Sequence, residues 1–396
     1  MEQVRACFAT SLAWAVAGLF MAGCSFQARP NPASGDGGVE GVDGGGVLMA
    51  CAWAAHFDAC ELPGTPPAQA LMLNSPTKWT FTTAGMGGFG PVTPAGGFVI
   101  RKLSQTGGGR DVLVLYTSAF TLGAGATLDI TGDKALVIAA DTTIKIDGTL
   151  DAGSHTVSSG PPVVGPGAND IGCTGNLNGG GSGSGGSGGG GGALAANGGP
   201  GGDGDNGGTG GGAGVQVALP AFVRAGCAGG TGGGSTRTNG NGGNGGGTIE
   251  LAARGAITVT GRINAGGAGG EGGAKLQGGG GGGGSGGIIS FHAPTVTFTS
   301  TAVIVANGGA GGSGGSDEDS GHAGDDGLLA AASARGGDPA SESAGGDGGT
   351  VGKPDGSPGT DGSKSGGGGG GSTGYVMVRA GSFSPAGVGS PPASRL

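Results

Sequence analysis

The chain has 396 residues, 109 of them Gly, and a net charge of −9 from 18 Lys and Arg against 27 Asp and Glu. That glycine content is about four times ordinary usage. There is no basic footprint for nucleic acid and no sustained G-X-Y register for collagen, and Gly costs about 1 kcal/mol per helical position relative to Ala, which disfavours helix through most of the chain.

Residues 1–23 read as a signal peptide. Arg5 supplies positive charge, and Ala6–Ala22 is an apolar run too short for an ordinary membrane span. Met21-Ala22-Gly23-Cys24 closes the run and resembles a bacterial lipoprotein lipobox. The resemblance implies that Cys24 becomes the lipidated first residue; the plainer alternative is secretion with cleavage nearby. Ser25, in place of an inner-membrane-retaining Asp, implies an outer-membrane or cell-surface destination. Cys7 would be lost with the signal. Cys51, Cys60, Cys173 and Cys227 remain, an even set suited to an oxidising compartment. Three pairings are open, and the local one, Cys51–Cys60 with Cys173–Cys227, is the simplest. There is no C-x-x-C, and His56, His155, His292 and His322 are scattered, so no metal site is expected.

Residues 24–46, rich in Pro, Gly, Asn and Asp, read as a flexible tether. Residues 47–109 carry Trp53, Phe57, Leu62, Trp79, Phe81 and Phe89 and read as a small cap or head. From Asp111 to Ala152, short apolar-polar runs are separated by Gly, Asp or Thr corners. Such runs are too short and regular for a sandwich. They predict an all-β fold: a short parallel β-solenoid (β-helix) of about five coils over residues 110–386, with 387–396 a disordered tail.

A repeat sharpens this. The pattern apolar-x-apolar-x-Ala recurs at Leu136, Ile138, Ala140; Ile249, Leu251, Ala253; Ile289, Phe291, Ala293; and Val376, Val378, Ala380. Second apolar pairs follow at Ile144 and Ile146, Ile257 and Val259, and Val296 and Phe298. Third strands end at Asp151-Ala152, Asn264-Ala265 and Val305-Ala306. The coil length is therefore nearly constant, and the variation falls in glycine-rich inserts at one corner, residues 153–247, 266–287 and 307–374. The alternation places Ile249, Leu251, Ile257, Val259 and Ile263 inward, and Glu250, Thr258 and Arg262 outward. Gly-Gly-x triplets, as in 266–274 and 308–316, fit a three-residue helix with bare faces and point to a polyglycine-II bundle. The alternative is a disordered glycine mass, since ordering costs about 1–2 kcal/mol per residue. The acidic third insert reads as largely solvated.

No catalytic residue and no cofactor is expected. Gly201-Gly202-Asp203-Gly204-Asp205 lacks the tandem copies of a calcium roll. Asp129, Asp133, Asp141, Asp147 and Asp151 fall mostly at corners, where Asp is a turn residue. Thr260 and Asn264 stand in the next copy where Asp147 and Asp151 stand, so no carboxylate face is expected to build up. Phosphate cradling needs a helix after the glycine loop, which is missing here. The threonines Thr258, Thr260, Thr295, Thr297 and Thr299 form a ladder broken by Lys145 and Asp147.

Phe57-Asp58-Ala59-Cys60-Glu61-Leu62-Pro63, Gly226-Cys227-Ala228-Gly229-Gly230, Gly245-Gly246-Gly247-Thr248-Ile249 and the Gly run before Tyr375 give the chain a resemblance over most of residues 50–380. It resembles the uncharacterised glycine-rich surface lipoproteins of myxobacteria and related bacteria, chains often labelled similar to PE-PGRS proteins. The Gly-Gly-x arrays justify that comparison, but no helical PE domain is present. The expected function is a non-catalytic structural or adhesive module, lipid-anchored at the membrane and contacting extracellular polysaccharide or matrix. The alternative is a polysaccharide-active β-helix enzyme, a lyase or hydrolase, which needs a concave strand face with converging Asp, Arg or His.

Overall fold

A computed structural model describes residues 53–74, 77–157, 160–170, 172–180, 185–219, 221–234, 238–339 and 343–396. The described residues belong to one unit and are almost wholly β and irregular; the only helical turns among them are two 3-10 turns, Ala59–Glu61 and Asp205–Gly207. No helix among them is long and apolar enough to cross a membrane.

The strands in chain order are β1 (Leu71–Leu73), β2 (Lys78–Thr82), β3 (Gly88–Phe89), β4 (Val99–Leu103), β5 (Val112–Thr117), β6 (Phe120–Leu122), β7 (Thr127–Thr131), β8 (Leu136–Ala140) and β9 (Thr143–Ile146). Then follow β10 (Thr149–Asp151), β11 (Thr248–Ala253), β12 (Ala256–Val259), β13 (Arg262–Asn264), β14 (Ile288–Phe298), β15 (Val303–Val305), β16 (Tyr375–Pro385), β17 (Val388–Ser390) and β18 (Ser394–Arg395). They make two mixed, largely parallel sheets. In one, β5, β8, β11, β14 and β16 lie side by side. In the other, β2, β7, β10, β13, β15 and β17 do.

Register follows the sequence repeat. Ile138, Leu251, Phe291 and Val378 form one cross-strand row, and Leu136, Ile249, Ile289 and Val376 the next. Ile144, Ile257, Val296 and Phe383 stack likewise, as do Leu128, Leu150, Ile263 and Ile304. Because strand side chains alternate, each row delivers one face to a shared interior. Nearly all these residues are fully buried in one continuous core. A one-residue slip would turn the whole row outward, so the apolar period holds the register.

Three expectations are corrected. Residues 47–109 are not a separate cap: β1 and β2 pair in parallel with β6 and β7, and Leu71, Leu73 and Phe81 join the main core. Residues 387–396 are not a disordered tail, since β17 pairs with β15 and β18 with β16. Glu250 does not face solvent; it is 0% exposed beneath the 53–62 segment. The other inward and outward assignments of that copy agree with its burial: Ile249, Leu251, Ile257, Val259 and Ile263 are buried, and Arg262 is exposed.

The glycine inserts are ordered by their backbones. Within 278–287, the amides of Gly280, Gly283 and Gly286 donate to Gly366, Gly369 and Ser372. Those of Gly281, Gly284 and Gly287 donate to Glu271, Ala268 and Ala265, and those of Gly282 and Ser285 to Gly230 and Cys227. Donors thus rotate among three neighbours with a period of three residues, the period of a polyproline-II-type helix. The carbonyls serve three further neighbours. Gly281 and Gly284 accept from Gly312 and Gly309, Gly282 and Ser285 from Gly243 and Gly246, and Gly280 and Gly283 from Gly189 and Gly192. These N···O distances are 2.7–3.0 Å. Segment 278–287 is buried throughout, and so is 365–374.

Steric closeness, more than dihedral freedom, demands glycine here. A Cβ on Gly281, Gly282 or Gly283 would land on the backbone carbonyl of Asn241, Gly190 or Gly309, well inside contact distance. None of the three has a positive φ. Around the rim the third residue of the triplet takes over hydrogen bonding. Asp203 Oδ1 accepts the Gly210 amide at 2.7 Å, Asp361 Oδ1 the Asp203 amide at 2.8 Å, and Asp355 Oδ1 the Asn197 amide at 2.8 Å. The third insert is therefore not solvated throughout: Gly366–Gly371 are buried.

Candidate polar cleft at the insert corner

The outward residues of β2, β7 and β10 lie in cross-strand rows. Lys78, Thr127 and Thr149 form one; Thr80, Asp129 and Asp151 form the next. Alternation exposes these positions because Trp79, Leu128 and Leu150 point inward. Asp129 and Asp151 therefore face the same side from neighbouring parallel strands, which lie about 4.8 Å apart across the sheet. The expectation that no carboxylate face builds up is corrected: the pairing runs from β10 back to β7, in a copy without the apolar-x-apolar-x-Ala signature. A cavity of about 520 Å³ opens over this floor, walled by His155 and Val163 at the start of the first insert.

The charged groups are tied down. Lys78 Nζ lies 2.6 Å from Asp129 Oδ2. Its hydrogen bond and charge attraction to Asp129 hold the ammonium above its ordinary pKa. His155 Nε2 lies 3.2 Å from Asp151 Oδ2, and Nδ1 lies 3.4 Å from Asp326 Oδ2. Those two hydrogen bonds outweigh burial and raise His155 to about 10, so it is an imidazolium at neutral pH. For Asp151, burial favours the neutral acid, but hydrogen bonds from His155, the Gly153 amide and Asn264 overcome it and hold the carboxyl below its ordinary range. Asn264 Nδ2 donates to Asp151 Oδ1 at 3.0 Å.

Asp326 joins all three inserts. Its Oδ1 accepts the Thr156 amide at 3.0 Å, the Thr156 hydroxyl at 3.1 Å and the Gly269 amide at 2.9 Å. Residue 156 belongs to the first insert, 269 to the second and 326 to the third. Sequence reasoning missed this junction because Asp326 is 170 residues from Thr156.

A second polar group is sealed elsewhere. Glu250 Oε2 meets His56 Nδ1 at 2.6 Å on the outer face of β11, and Glu250 Oε1 and His292 Nδ1 have no hydrogen-bond partner. The pair pins the 53–62 segment, with Phe57 and Leu62 packed beside Val114, Tyr116 and Val137.

Of the residues singled out from sequence, Cys24 and Cys51 lie outside the described residues, and with them the lipid site and the Cys51–Cys60 pairing. Cys173 and Cys227 lie at disulfide distance, their Cα atoms 5.7 Å apart. Asp133 pairs with Lys134, Asp141 with Arg254 and Asp147 with Lys145, each at a separate corner. No cluster of three or more metal-ligating side chains occurs among the described residues. Thr258 and Thr297 stack in register, with Lys145 in the same row. Comparison with known proteins gives no match: no family model, no curated protein and no solved structure is similar to this chain.

Proposed function

We propose that the chain is a non-catalytic surface lipoprotein, a structural or adhesive module akin to the glycine-rich lipoproteins that it resembles. Its architecture on this reading is a parallel β-solenoid of about five coils, with a polyglycine-II bundle on the corner where the inserts leave. The in-register rows of β8, β11, β14 and β16 support the coil, and the period-three amide bonding of 278–287 supports the bundle. Acylation at Cys24 would hold it at the outer membrane or cell surface, and a 54-residue Cys173–Cys227 loop would stabilise the first insert by about 4 kcal/mol on the chain-entropy model.

One observation favours binding over catalysis. Asp151 and His155 are engaged in fixed bonds that tie the inserts to the sheet. A glycosidase needs one carboxyl kept protonated as a general acid, and Asp151 is shifted the opposite way. The test is cosedimentation of the detergent-solubilised full chain with isolated insoluble extracellular matrix, alongside a reducing-end assay. The expected result is binding without new chain ends. Time-dependent release of reducing or unsaturated ends would favour the polysaccharide-active enzyme instead.

A further inference from the structure

The polar cleft has a composition that its structural bonds do not use up. Asp326 and Asn264 fasten His155 and Asp151 from behind. Thr80, Thr127, Thr131, Asp129 and Lys78 remain to line the cavity, where Asp129 bonds Lys78 through Oδ2. Lys78 is 69% and Asp129 27% exposed at the side chain, so both reach solvent while paired. Hydroxyls donate and accept, carboxylates accept only and ammonium donates only. Laid in three neighbouring cross-strand rows, they offer donors and acceptors side by side, and Val163 adds an apolar wall. The volume lies within the range of small-molecule sites, where convergent polar groups of this kind fix orientation.

We propose that the cleft floored by β2, β7 and β10 is a saccharide-binding site that takes the ring hydroxyls of a neutral polysaccharide chain. Neutral chains fit because three carboxylates, Asp129, Asp151 and Asp326, face two cations, Lys78 and His155, leaving no surplus positive charge for an acidic polymer. A divalent cation fits poorly, because both floor carboxylates already hold a cationic partner. Paired, register-locked groups lose little freedom when a ligand arrives, which favours binding. This inference rests on the adhesive reading and assigns it a place on the molecule.

The test uses the detergent-solubilised full chain on an array of neutral hexasaccharides: β-1,4-glucan, β-1,3-glucan, α-1,4-glucan and β-1,4-linked N-acetylglucosamine. Polygalacturonate and Ca²⁺ are the comparison ligands. The best ligand is then titrated against Lys78→Met and Thr127→Val, with Thr258→Val on another strand face as the control. The expected outcome is a neutral oligosaccharide bound at least about tenfold more weakly by Lys78→Met, the loss of a charge-assisted hydrogen bond, and about threefold or more weakly by Thr127→Val, the loss of a neutral one. Thr258→Val and the melting temperatures stay unchanged. Three outcomes overturn the proposal: no neutral oligosaccharide bound, cleft variants that bind like the parent, or cleft-dependent binding of polygalacturonate or Ca²⁺ alone. Matrix cosedimentation decides the adhesive reading separately, so a matrix-binding chain with an inert cleft would lose this site and keep that function.

Discussion

The parallel-strand stack and the glycine segments lie in one unit and solve the burial problem in opposite ways. In the stack, Leu251 and Phe291 fill the interior, and the backbone ladders keep polar groups paired around them. The apolar side chains supply the driving force, about 25 cal/mol per Å² of apolar surface buried. In segments 278–287 and 365–374 there is almost no side chain to bury. The chain gains backbone hydrogen bonds on every side and close carbonyl contacts instead, against the large conformational entropy of glycine. The comparison teaches that a core needs satisfied polar groups and close packing more than it needs large side chains.

The largest expected effect comes from adding atoms where the glycine segments have none to spare. Gly283→Val places its Cβ on the Gly309 carbonyl, backbone that no rotamer can clear. The expected outcome is loss of the cooperative thermal transition or failure to accumulate folded protein, since overpacking here adds to the usual 1–3 kcal/mol the loss of neighbouring amide bonds. The stack should respond to the reverse change: Leu251→Ala is expected to cost about 2–5 kcal/mol in denaturant titrations, because it leaves a cavity between Ile138 and Phe291. If Gly283→Val melts like the parent while Leu251→Ala does not, the glycine region is not a packed core.

Smaller effects probe the corner that ties the two regions together. Asp326→Ala leaves the Thr156 and Gly269 amides without their acceptor, an expected loss of about 1–3 kcal/mol. Differential scanning calorimetry would read it as a lower melting temperature. The pH dependence probes the same corner through His155. His155 is raised to about 10 in the folded chain from 6.5, so its contribution is fully present below pH 6.5 and is lost as pH rises through about 10. Asp151 is depressed, so its contribution is present above its ordinary value near 3.8 and is lost as pH falls below that. Melting temperature should therefore decline between pH 7 and 10 in the parent and less steeply in His155→Gln. Equal slopes would remove the imidazolium from the account.

Much of the stack was legible from residues alone. Apolar residues two apart ending in Ala marked the first strands, and their recurrence marked which copies are neighbours. The Gly-Gly-x period likewise anticipated bare faces on the glycine segments. What escaped was set by distant partners. Glu250 sits in an alternating strand and reads as outward, yet His56, 194 residues earlier in sequence, covers it. Asp129 and Asp151 share a face only through the β7–β10 register, and β7 carries no Ala-ended signature to reveal that register. The 387–396 segment, rich in Ser, Pro and Gly, has the composition of a tail, but Val388–Ser390 finds an open strand edge at β15. An edge supplies backbone bonds to any sequence that can lie flat, so composition alone underestimates order there.

Amide hydrogen–deuterium exchange tests most directly whether the glycine segments form a core. Exchange protection reports how costly it is to open each hydrogen bond, whatever side chains surround it. The account predicts that peptides covering 278–287 and 365–374 exchange as slowly as those covering Ile249–Ala253 and Ile289–Ala293, with rim segments such as 197–204 faster. Full exchange of the 278–287 and 365–374 amides within seconds, while the strands stay protected, would contradict it.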